Sequence, residues 1–60
     1  MPFQAILREA DQLQNVSKRL EALAEEHALV SEPLLTIAGS VRNTATVLEV
    51  LVATKGPRPV

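Results

Sequence analysis

Apolar residues return through the first half of the chain at a helical rhythm. With Ile6 at position a of a heptad, Leu13, Leu20 and His27 also fall at a, while Val16, Leu23 and Val30 fall at d. Phe3, Ala10, Ser17 and Ala24 occupy e. A stripe of a, d and e positions marks a helix that turns a wide front to a core. Glu9 interrupts the d series once, and the neighbouring Ala10 covers for it. The opposite side reads Arg8, Asp11, Gln12, Gln14, Asn15, Lys18, Glu21 and Glu25, a solvated surface. The segment contains no glycine or interior proline and is rich in Ala, Leu, Glu and Gln, all strong helix formers. It predicts a helix from about residue 3 to 28, with Pro2 suited to its first turn.

The rhythm breaks at Leu29-Val30-Ser31-Glu32-Pro33. Ser31 is a good N-cap, Glu32 complements the positive end of a following helix, and Pro33 is tolerated in a first turn. Pro33 also disfavours a helical Glu32, which ends any continuous helix; on that reading Glu32 rather than Ser31 is the cap. Beyond the break, Leu34, Ile37, Ala38, Val41, Ala45, Leu48 and Val52 recur at spacings of three and four. That pattern predicts a second helix from about 32 to 55. Lys55 followed by Gly56-Pro57 is a stop signal, and residues 56–60 form a short tail. Val47 to Val52, rich in β-branched residues, offers a strand as the competing reading, but segment length and the clean stripe favour helix.

The two predicted helices are about 39 and 36 Å long at 1.5 Å per residue, joined by a short connection. The expected fold is therefore all-α: one domain, residues 1–55, forming an antiparallel helical hairpin. A chain of 60 residues buries little surface alone. With no cysteine, neither disulfides nor thiolate metal sites are open to it, so oligomerisation is the expected staple, with a homodimeric four-helix bundle as its simplest form.

The helices differ in a way that points to the same conclusion. The first carries three positive and five negative charges, the second only Glu32, Arg42, Glu49 and Lys55. The polar side of the second is made of small groups, Thr36, Gly39, Ser40, Asn43 and Thr46, and it also carries Val47 and Val50. A helix apolar nearly all round is covered on more than one side. Arg42 and Glu49 lie at equal distance from the point between Ala45 and Thr46, and they share a flank with Leu35, Ala38, Ala45 and Ala53. This spacing predicts that the second helix meets its own copy across a two-fold there, Arg42 facing Glu49 of the other chain. The competing self-contact uses Val47 and Val50.

Candidate chemistry is sparse. His27 is the only histidine, and Ala24 stands where a di-metal bundle needs glutamate three residues earlier. Gly39 costs its helix about 1 kcal/mol relative to alanine, which close approach of another helix would explain. No nucleophile–base set and no glycine-rich phosphate loop is present, so no catalytic, cofactor or metal site is expected. A net charge of −1 and a single aromatic residue give little purchase on nucleic acid. The most apolar stretch, residues 34–53, approaches membrane-span length but contains Arg42, Asn43 and Glu49. With no secretory leader legible at the start, a cytoplasmic location is expected. The expected partner is a second copy of the chain or another protein, in an adaptor, regulatory or assembly role. The alternative is a nucleic-acid regulator that presents Arg8, Lys18 and Arg19 on the outer face of its first helix.

Overall fold

A computed structural model describes residues 3–55. Helix α1 spans Phe3–Glu26, a single 3-10 turn spans Ala28–Val30, and helix α2 spans Ser31–Lys55. The two helices pack against each other as an antiparallel hairpin. Residues 44–52, the stretch with strand-like composition, lie inside α2. The Gly56-Pro57 stop, the tail and Pro2 lie outside the described residues.

The chain reverses at His27, earlier than the sequence pattern places it. The His27 N–H still donates to the Leu23 carbonyl at 3.0 Å, but its backbone (φ −129°, ψ 82°) has left the helical region. The Val30 N–H then donates back to the His27 carbonyl at 3.1 Å, and the Ser31 N–H donates to Ala28. These bonds run directly into α2, so the Ser31 N–H, its first donor, finds a carbonyl partner without a side-chain cap. Ser31 is accordingly not an N-cap: at φ −59° and ψ −51° it is already helical. Glu32 is helical too, and Pro33 becomes the third residue of α2, where a missing N–H leaves no helical bond unmade. The proline's steric bias against a helical predecessor yields to a turn that the 3-10 bonds have already set. Glu32 in the first turn and Lys55 in the last both suit the helix dipole.

Small side chains make the seam between the helices. Ala10, Ser17 and Ala24 of α1 and Ala38 and Ala45 of α2 are the fully buried residues, each separated from the next in its helix by seven. The Ser17 hydroxyl donates across the seam to the Ala38 carbonyl at 2.8 Å. A group one bond beyond Cβ reaches a neighbouring backbone only when the helix axes lie near the short end of the usual range of about 8–10 Å. This bond also fixes the register. Stepping by seven from Ser17 and Ala38 sets Ala10 level with Ala45, Ala24 with Ser31, and Phe3 with Val52.

The larger apolar residues flank this seam rather than fill it. Ile6, Leu13, Val16, Leu20, Leu34, Val41, Leu48 and Val52 are half-buried. Leu23 and Ile37, expected in the core, are 41% and 50% exposed. The largest fully buried side chain in the hairpin is Ser17. Two helices drawn together along a small-residue seam have no third element to cover the leucines beside it.

Candidate interaction surface

The register divides the hairpin into two broad faces. One carries Leu7, Gln14 and Glu21 from α1 and Leu35, Arg42 and Glu49 from α2. Here the Arg42 guanidinium (Nη2) donates to the Glu21 carboxylate (Oε1) at 2.8 Å. Both side chains lean toward the N-terminus of their own helix, which brings them together over the Ser17–Ala38 layer. The pair is about half exposed (48% and 42%), so it contributes about 0–1 kcal/mol, and its effect is mainly to keep this face polar.

The opposite face is apolar along most of its length. The a residues Ile6, Leu13 and Leu20 lie beside Leu34, Val41 and Leu48, all half-buried against the seam. Outside them run the d residues Val16 and Leu23 on α1, and Ile37 and Leu51 on α2. Glu9 and Thr44 are the polar interruptions in these outer rows, and the register sets them near one level. Helical geometry turns the outer rows away from the hairpin.

The surface expected from sequence to meet a second copy is only partly available. Ala38 and Ala45 are buried completely inside the hairpin and cannot also serve an outside contact. Arg42, expected to face Glu49 of another chain, is engaged by Glu21 of its own. Leu35, Thr46, Glu49 and Ala53 remain exposed on that flank, and Val47 and Val50, 58% and 54% exposed, lie on the far side of α2. The structure thus brings Ala38 and Ala45 together with α1, and leaves Val47 and Val50 facing out. The sequence pattern placed Ala10, Ser17, Ala24, Ala38 and Ala45 within the core-facing stripes, but not as the central line of contact; the signal for that was the recurrence of Ala and Ser every seven residues in both helices, at 10, 17 and 24 and at 31, 38 and 45.

The other candidate residues lie around the hairpin. A Cβ built on Gly39 meets nothing within 4 Å, so within the hairpin no close contact demands glycine there. The hydroxyls of Thr36, Thr44, Thr46 and Thr54 donate to carbonyls four residues back within α2. His27 is exposed at the reversal. Arg8, Lys18 and Arg19 are exposed on α1 together with Asp11, Glu25 and Glu26, a mixed surface without a basic stripe. Among the described residues no group of three or more His, Asp or Glu is placed to hold a metal ion. Among them, too, no helix is long and apolar enough to cross a membrane. Comparison with protein families, with characterised proteins and with solved structures gives no match.

Proposed function

We propose that the protein is a self-associating helical interaction module, an adaptor, regulator or assembly piece without a catalytic site of its own. Two hairpins close a four-helix bundle over their apolar faces. One observation carries this reading: the largest fully buried side chain is Ser17, while Ile6, Leu13, Val16, Leu20, Leu34, Val41 and Leu48 lie half-buried along one face with Leu23 and Ile37 exposed beside them. The a and d residues of the sequence pattern define a core that a single hairpin builds only halfway. A second apolar layer turns the half-buried rows into an interior, as in four-helix bundles generally. The other face, with its Arg42–Glu21 pair and Glu49, stays in water.

The test is the molar mass of the protein in solution. Light scattering is expected to give twice the chain's 6.5 kDa. Placing a charge on the apolar face by Leu20→Glu is expected to abolish the dimer, whereas Glu49→Gln on the polar face is expected to leave it intact. A wild-type mass equal to one chain at high micromolar concentration contradicts the proposal.

A further inference from the structure

We propose that the occupant of the apolar face is a second copy docked with its turn at the same end as that of the first, so that α1 of each chain lies over α2 of the other. This rests on the self-association reading above and adds the partner's orientation to it.

The area available fits a second copy. The chain exposes 4689 Å². A folded monomer of this mass exposes about 3,800 Å² by the usual scaling, and the surplus of about 900 Å² matches the roughly 800 Å² each partner contributes to a standard interface. The surplus follows from shape. The chain extends 50 × 16 × 14 Å, with a radius of gyration of 14.2 Å against about 10 Å for a compact chain of this length.

Two face-to-face arrangements obey two-fold symmetry. With the axis along the bundle, both turns share one end, and α1 covers α2 of the partner. With the axis across the bundle, the turns lie at opposite ends, and each helix covers its own copy. Both make every neighbouring pair antiparallel, so the helix dipoles do not choose between them. The outer rows do.

The register set by the Ser17–Ala38 bond fixes the heights of these rows. Glu9 lies within about 3 Å of the height of Thr44, and Val16 of Ile37, each offset being two residues at 1.5 Å per residue. With shared ends, Glu9 meets the partner's Thr44, and Val16 meets the partner's Ile37. Polar meets polar in one layer, and apolar meets apolar in the other. The Thr44 hydroxyl now donates to the Ser40 carbonyl at 3.0 Å. That carbonyl keeps its own helical N–H donor, so the hydroxyl proton is free to turn to the partner's Glu9 carboxylate. With opposite ends and the axis at the middle of α1, Glu9 falls at the height of the partner's Leu20, and Thr44 at that of the partner's Ile37. The polar groups are then spread through apolar layers, and covering a carboxylate without a donor is costly. A single polar layer that fixes orientation is an established device of helical bundles.

The experiment is a distance between the two turns. The chain has no cysteine, and Leu29 in the turn is 99% exposed, so Leu29→Cys provides a lone thiol for a nitroxide without disturbing the packing. Pulsed dipolar spectroscopy is expected to give one distance below about 25 Å, as two turns side by side require when neighbouring axes lie about 8–10 Å apart. A distance of about 36 Å or more, the length of α1 at 1.5 Å per residue, overturns the orientation while leaving self-association standing. Absence of any dipolar modulation in folded protein overturns both.

Discussion

Ala38→Leu is expected to destabilise the protein by about 3 kcal/mol, at the upper end of what overpacking costs. Ala38 is fully buried, and its carbonyl receives the Ser17 hydroxyl from across the seam at 2.8 Å. An isobutyl group placed there meets the backbone of α1 rather than movable side-chain ends. Relief requires the axes to separate, which breaks the cross-seam bond and loosens the Ala10–Ala45 and Ala24–Ser31 layers together. Ala22→Leu is the matched control: it is the same substitution on the exposed side of α1, expected to stay within about 0.5 kcal/mol. Urea unfolding followed by circular dichroism measures both. Equal losses at the two sites would mean that the small-residue seam does not hold the helices together.

Leu48→Ala carries the second large effect. In an isolated hairpin Leu48 is only half-buried, and truncation there removes a partial contact that water already shares. In a four-helix bundle the same side chain belongs to a closed interior, and the loss rises to about 2–5 kcal/mol per chain. The size of the effect therefore reports whether the apolar face is covered. Leu20→Ala on α1 is expected to match it, and Gln12→Ala, on the exposed side, to cost no more than about 0.5 kcal/mol. Losses near 1 kcal/mol at both leucines would show that nothing covers them.

Periodicity was enough to read the hairpin. Two apolar stripes at helical spacing and a break between them determine two antiparallel helices. It also identified the a and d residues that make the apolar face. It erred where the geometry of a second helix enters. The reversal falls at His27 because 3-10 bonds from Val30 and Ser31 carry the chain into α2, and no residue type announces such a turn as glycine would. Where the chain reverses sets the cross-helix register, and the register decides which side chains meet. Arg42 therefore looked available to Glu49 of another chain, when the register places it within reach of Glu21. The seam was hidden for a related reason. Alanine and serine score weakly as core residues, yet their smallness is what lets the axes approach, and so Ala38 and Ala45 were read both in the core-facing stripe and on a flank open to a second copy. Leu23 and Ile37 present the reverse case. Their pattern marks them as core, and the hairpin leaves them 41% and 50% exposed because the small-residue seam, not the leucine rows, forms the contact between its two helices.

The claim that the apolar face is closed by association is tested most directly by dilution. An oligomer loses stability as its concentration falls, by about 2.7 kcal/mol for a hundredfold change. For two chains of this length unfolding together, that corresponds to a fall of about 10 °C in the midpoint of thermal unfolding. Circular dichroism melts across a hundredfold range of protein concentration are expected to show this fall. A midpoint that stays constant over the same range, with both helices intact, would show that the hairpin stands alone and would contradict the account.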